Sequence, residues 1–224
     1  MNHFSTTSKR LFIYMIGTYF IALGASFSIL ANIGVSPVTA FPYALSLITG
    51  LTVGTMTVFA NILFISIQAI LLKKVLWKDF FIQLSIVSVF GLFLDITLWL
   101  MHVLPEANSI WLISLYLALS MIIVAFGIML YATVKFPMMP YDTLTAVVAA
   151  KWQISFGKSK IICDMTVVGV SLITCLVFIH SFGSIGIGTF IAAYGLGKIL
   201  GSIIPVIQPK IRSWVFAAQQ EVSL

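Results

Sequence analysis

The sequence predicts an all-α integral membrane protein, with six transmembrane helices as two inverted three-helix repeats. Each repeat carries a short helix or re-entrant segment after its first helix. Three observations predict this. The 224 residues are 61% hydrophobic and only 8% charged, where a soluble domain carries about 25% charged residues. Six apolar runs of roughly 20 residues, enough to cross a bilayer, can be drawn along the chain. The stretch at 34–54, GVSPVTAFPYALSLITGLTVG, returns without a gap 103 residues later. Pro37 becomes Pro140 and Gly54 becomes Gly157, and outside the stretch Gly24 becomes Gly127, Ala22 becomes Ala125 and Asn61 becomes Asp164. Gly and Pro mark special backbone positions, so their recurrence at one offset outweighs matches of Leu or Val.

The runs are 11–33, 53–72, 80–103, 110–133, 161–180 and 185–206, giving repeats of about 11–104 and 110–207 in a single membrane domain. The first follows Lys9 and Arg10 and exceeds the roughly 7–15 apolar residues of a signal peptide, so it reads as a retained helix. The connection at 34–52 has no charge, whereas the next carries Lys73, Lys74, Lys78 and Asp79. The third connection has only Glu106, the fourth has Lys135, Asp142, Lys151, Lys158 and Lys160, the fifth has none, and the tail is basic through Arg212. Cationic connections alternate with uncharged or acidic ones, which by the positive-inside rule places both termini in the cytoplasm. Three spans per repeat is an odd number, so the second copy enters the membrane from the other side and the repeats are inverted.

The segments at 34–52 and 137–155 are too short to span. Each opens on helix-starting signals, Ser36-Pro37 in one and Pro140 with Asp142 in the other. Surface amphipathic helices and re-entrant segments both fit them, as do their aromatics Phe41, Tyr43, Tyr141 and Trp152. In the sixth run Ala193, Gly197 and Gly201 fall four apart, a small-residue stripe that serves helix packing, an oligomer seam or a sliding surface. The third helix of each unit aligns less well, with Gly91-Leu92 facing Gly195-Leu196 at a shift of 104. Cys163 and Cys175 fall on one helix about 18 Å apart at 1.5 Å per residue, too far to pair with each other.

Phosphate-binding loops, Cys-x-x-Cys pairs, zinc-protease motifs and nucleophile elbows are absent from the sequence, and its histidines share no metal-like spacing. The expectation is therefore no enzyme, no metal and no cofactor. The net charge of +6 sits in short loops, as topology requires, and does not indicate nucleic acid. What remains is ionisable side chains at membrane depth, which are costly and usually functional. Asp95 in the third run and Lys198 in the sixth fall at near-equivalent positions of the two repeats. They are the first candidates for a charge pair that opens when substrate or a proton binds; a permanent structural pair is the competing reading. Asn61 and Asp164 form a pseudo-symmetric polar pair where a substrate can be held, although Lys160 stands four residues before Asp164 and offers it a local ion pair near the surface. Asp142 is placed to cap a helix, or to titrate in a cavity. Thr39, Tyr43, Tyr141 and Tyr194 are candidate cavity-lining residues.

Several stretches resemble a known family. They are Gly34-Val35-Ser36-Pro37, Thr49-Gly50-Leu51-Thr52-Val53-Gly54, Phe156-Gly157-Lys158, and Ile185-Gly186-Ile187-Gly188-Thr189. Together they are similar to the bacterial YczE/YyaS/YitT-like membrane proteins. In that family the proline of the first motif is followed by an aromatic and an acidic residue. Here Val38 and Thr39 follow Pro37, whereas Tyr141 and Asp142 follow Pro140, so the first-half site is expected to have lost its acid. The resemblance implies a six-helix body in a bacterial plasma membrane and brings no substrate with it.

The expected function is a secondary transporter of a small solute with alternating access between the repeats, coupled, if to any ion, to a proton. Two alternatives stand beside it: the substrate-binding membrane subunit of a larger importer, and a non-transporting scaffold. The partners implied are the bilayer, a solute, and either a second copy or a partner subunit.

Overall fold

The computed structural model describes residues 2–74, 77–134, 136–183 and 185–220; Lys135 of the charge pattern lies outside them. Eight helices follow one another among these residues: α1 (Asn2–Leu30), α2 (Pro37–Thr49), α3 (Val53–Leu72), α4 (Trp77–Met101), α5 (Ile110–Thr133), α6 (Pro140–Trp152), α7 (Phe156–Phe178) and α8 (Ile187–Gln220). Six of them are long and apolar enough to cross a membrane. The protein is an all-α multi-pass membrane protein.

Local chemistry sets several boundaries. Thr52, Ser109 and Ser155 precede α3, α5 and α7, and each side chain accepts a hydrogen bond from the backbone N–H three residues on, satisfying a donor the helix cannot pair itself. α2 and α6 are both 13 residues long and begin on a proline, whose fixed φ and missing N–H suit a first helical position. Both end at a left-handed residue, Gly50 at φ 73° and Gln153 at φ 54°. Their start and end positions differ by 103, the offset of the sequence repeat. α1 starts nine residues before the expected 11, and α8 runs through Pro205 and Pro209 to Gln220 rather than ending near 206.

At the centre α1 packs along α5, and α4 and α8 flank this pair. α3 lies against α4, and α7 against α8. α2 and α6 are not laid on a surface. Each packs against both α3 and α7, and Thr39, Ala40, Ala44 and Thr145 have no exposed area. These pairs map onto one another when the two units are exchanged.

Close helix crossings are made where side chains are missing. A Cβ on Gly17 would stand 2.8 Å from the Gly127 carbonyl oxygen, and one on Gly54 would meet the Gly91 carbonyl oxygen at 2.3 Å. In the second unit Gly157 approaches the Gly197 carbonyl oxygen and Gly201 in the same way. The stripe at Gly197 and Gly201 is thus used for α7–α8 packing. This packing equates Gly91 with Gly197, a shift of 106, and corrects the expected match of Gly91 to Gly195.

The loop before α2 joins two of the motifs that carry the family resemblance. Gly34 adopts φ +123°, a conformation open chiefly to glycine, and a Cβ there would strike Thr189. Beside it the Gly188 N–H donates to the Ile33 carbonyl at 2.9 Å, and the Ser36 N–H donates to Ser28 Oγ at 2.6 Å.

Candidate functional site

The first-ranked sequence candidates do not meet. Asp95 and Lys198 do not pair. Lys198 is exposed, with its ammonium 5.5 Å from the centre of the exposed Tyr194 ring. Asp95 Oδ1 instead accepts the Gly54 N–H at 2.9 Å, so Asp95 satisfies the first turn of α3 from a neighbouring helix. The reason is register. With Gly91 equivalent to Gly197, Asp95 corresponds to Gly201 and Lys198 to Leu92, so the two charges are not symmetry partners.

Asp95→Asn keeps an acceptor oxygen and should lower stability by less than about 1 kcal/mol, the scale of a helix-end charge effect. Asp95→Ala strands the Gly54 N–H and should cost about 1–3 kcal/mol. Unfolding both variants in detergent checks the order; a large loss in Asp95→Asn would mean the charge itself matters.

The buried charges come together elsewhere, where α5, α6 and α7 meet. Lys160 and Asp164, one turn apart on α7, have no exposed area, and Asp142 in the first turn of α6 is 3% exposed. Lys160 Nζ lies 2.7 Å from Asp164 Oδ1 and 3.7 Å from Asp142 Oδ1. The first is a charge-assisted hydrogen bond; the second is an ion contact too long to be one. Two tyrosines complete the cluster: Tyr141 of α6 donates its hydroxyl to Asp164 Oδ1, and Tyr131 of α5 donates to Asp142 Oδ2. The Tyr141 ring also lies 4.2 Å from the ammonium. Tyr14 of α1 packs edge-on against Tyr131 and donates to the Pro137 carbonyl at 3.0 Å.

Asp142 does not cap α6. Pro140 takes the first helical position, Met139 becomes the flanking residue, and no side chain caps that end. Asp142 sits two residues further in, near the positive end of the helix dipole, with its carboxylate turned to Tyr131 and Lys160. The ion pair expected between Lys160 and Asp164 forms, but in the interior rather than near the surface. Neighbours fix the frame. Gln68 Nε2 donates to the Pro140 carbonyl and Ser159 Oγ to the Thr145 carbonyl, each at 2.6 Å, tying α6 to α3 and α7.

Two carboxylates share one ammonium, so the cluster carries a surplus negative charge when all three are ionised. Asp142 Oδ1 and Asp164 Oδ2 are buried without a hydrogen-bond partner. Such orphaned acceptors are costly at low dielectric.

Shifted back by 103, Tyr131, Asp142, Lys160 and Asp164 become Ser28, Thr39, Thr57 and Asn61. These four are buried, but neutral. Ser28, Thr39, Thr57 and Asn61 each donate to a carbonyl three or four residues earlier in the chain. Asn61 and Thr39 are thus locally satisfied, and the charge lies in one unit.

Hollows lie beside this frame and at the other end of the helices among the described residues. A cavity of about 680 Å³ lies between α3 and α7, with α2 and α6 contributing to its walls. Tyr141 lines it with Phe41, Phe64, Leu144, Cys163 and Trp152. Rim residues Leu63, Ile67, Ile162 and Val170 are exposed on α3 and α7. Where α1 and α4 end, a second hollow of about 600 Å³ is lined by Ser26, Asn32, Tyr43, His102, Glu106 and Asn108. A third of about 330 Å³ shares Asn32 and Tyr43 with it.

A family model matches residues 8–205 and is described as a family of unknown function, DUF6198. The chain belongs to that family. It is 30% identical over 201 residues to the uncharacterized protein YyaS of Bacillus subtilis (strain 168), covering 87% of this chain and 92% of that protein. It is 24% identical over 195 residues to the uncharacterized membrane protein YczE of the same organism, covering 86% of this chain and 84% of that one. No solved structure matches the chain. Residues 8–205 include every member of the ion cluster, so the cluster lies within the family's body.

Reasoning from sequence selected Asp142, Asp164 and Tyr141 but missed Lys160 as the centre and missed Tyr131 and Tyr14 altogether. A signal for Lys160 was present: a lysine four residues into an apolar helix, flanked by two candidate acids. Tyr131 carried only its position, one repeat length beyond Ser28.

Proposed function

We propose that this protein is a secondary transporter of a small solute, not an enzyme, working by alternating access between two inverted units and coupled to a proton. The observation that carries the reading is Lys160, fully buried between Asp142 and Asp164 in a membrane protein, with a carboxylate oxygen on each acid that accepts no hydrogen bond. A purely structural pair is often replaceable by apolar residues without loss, whereas ionisable groups at membrane depth are the usual seats of proton relays and substrate sites. The cluster joins α5, α6 and α7 near the end where α1 starts. The polar hollows lie near the opposite end. In this reading the ion cluster closes one side while the other is open, and protonation of an acid loosens the closure. The positive-inside pattern supports a cytoplasmic position for the cluster end.

Exposed Lys73, Lys74, Lys78 and Lys158 favour a second reading, a membrane subunit that docks an energising ATPase; stable co-purification of such a module would select it.

The transporter reading is tested by labelling from each side with a membrane-impermeant maleimide, in a Cys163→Ser, Cys175→Ser background. Ala107→Cys reports the hollow near Glu106, and Met138→Cys reports the cluster end. Adding Asp142→Asn should raise labelling at Met138→Cys several-fold and lower it at Ala107→Cys. Unchanged rates at both positions would defeat alternating access.

A further inference from the structure

We propose that the substrate is a lipophilic organic cation, which enters the cavity between α3 and α7 from the lipid and is neutralised by the Asp142–Asp164 pair. The transport step rests on the reading above; the binding site does not. Volume comes first: about 680 Å³ lies within the range of small-molecule pockets. The walls are almost wholly apolar, and the exposed rim on α3 and α7 faces where lipid would lie, so a solute arriving from the membrane needs no water-filled path. Phe41, Phe64, Tyr141 and Trp152 bring four aromatic rings to one hollow, and aromatic faces attract cations.

Charge complementarity decides the sign. Behind the Tyr141 wall stand two carboxylates and one ammonium, with Asp142 Oδ1 and Asp164 Oδ2 buried and without a hydrogen-bond donor. An anion would meet a surplus of like charge. A neutral solute would leave the surplus uncompensated. Tyr141 is the partition, since its ring lines the cavity and its hydroxyl is held by Asp164; a side-chain rotation exposes the carboxylate to a bound cation. In the empty site a proton on one carboxylate oxygen removes the surplus. That O–H breaks when the cation binds, the proton leaves to solvent, and it returns when the cation departs. One proton exchanges for one monovalent cation, and no other bond changes.

The test is equilibrium binding of radiolabelled tetraphenylphosphonium to the purified full chain in detergent, against tetraphenylborate as an anion of the same shape. Saturable binding of the phosphonium alone, weakened roughly tenfold or more by Asp164→Asn and by mild acidification, is the expected result. Val167→Trp, which fills the cavity and leaves Asp142, Lys160 and Asp164 unchanged, should abolish binding while the protein stays folded. Equal binding of the borate, no saturable phosphonium binding, or unaltered affinity in both variants overturns the proposal. If phosphonium binding fails while the labelling at Met138→Cys and Ala107→Cys still responds to Asp142→Asn, the cation class falls and the transporter reading stands. If binding succeeds and labelling does not respond, the site is real and the transporter reading fails.

Discussion

Lys160→Met is expected to be among the most damaging single substitutions in the chain, costing about 3–5 kcal/mol, the range for removing one partner of a buried pair. The wild-type ammonium lies 2.7 Å from one buried carboxylate and 3.7 Å from another. Its loss leaves buried carboxylate charge with no cation to balance it. Methionine nearly matches the lysine stem, so the loss is electrostatic rather than a cavity effect. The triple variant Lys160→Met, Asp142→Asn, Asp164→Asn removes the charges together and should recover most of the stability, because a whole ionic group can often be exchanged for neutral residues at little cost. Strong non-additivity is the signature of groups that act as one unit. Urea unfolding in detergent of the single and triple variants measures it. A single variant as stable as wild type, or a triple variant as unstable as the single, would show that the three charges do not form one unit. If the proposed function is correct, the recovered triple variant will also no longer shift its labelling between the two faces.

Stability and function divide the molecule unevenly, and the sequence showed one part better than the other. α3 and α5 fall at the expected 53–72 and 110–133, because Thr52 and Ser109 each stand just before an uninterrupted apolar run. The starts of α2 and α6 were legible from Pro37 and Pro140; the end of α6 was not, because Gln153 takes a left-handed conformation that its residue type does not signal. The outer ends of α1 and α8 were not, because helix continues where residues turn polar, and composition reports the membrane boundary rather than the helix boundary. At the site, depth was readable and direction was not. Lys198 lies well inside an apolar run, yet it points outward while its neighbours Leu196 and Leu200 are buried. Near-continuous hydrophobicity erases the face of a membrane helix, so a charge there gives no sign of which way it turns. Lys160 was hidden for the opposite reason: four residues before Asp164, it matches a pattern that on most helices marks a solvated surface. Only the burial of α6 against α7 reverses that meaning.

Gly127→Val is expected to separate the two central helices and, through them, disturb the ion cluster. A Cβ at Gly127 would stand 2.7 Å from the Gly17 carbonyl oxygen and 2.9 Å from the Ile21 amide nitrogen. Both obstacles are backbone, so no rotamer change relieves them, and α1 and α5 must move apart. Between membrane helices close packing does much of the work that the hydrophobic effect does in water, so separation gives up attraction with little to replace it. Overpacking ordinarily costs about 1–3 kcal/mol, and a branched side chain driven against backbone belongs at or above the top of that range. The effect should also reach the site. Tyr131 lies one turn beyond Gly127 on α5, holds Asp142 and packs on Tyr14. Gly169→Ala supplies the control, since a Cβ there meets nothing within 4 Å; it should be neutral or stabilise by up to about 1 kcal/mol through helix propensity. Unfolding both variants in detergent gives the comparison. A Gly127→Val protein as stable as Gly169→Ala would mean that the glycine crossing does not hold α1 to α5. A destabilised one whose maleimide labelling at Met138→Cys also rises would show that the crossing holds the tyrosines against Asp142, joining the packing of the first helix to the charge in the second unit.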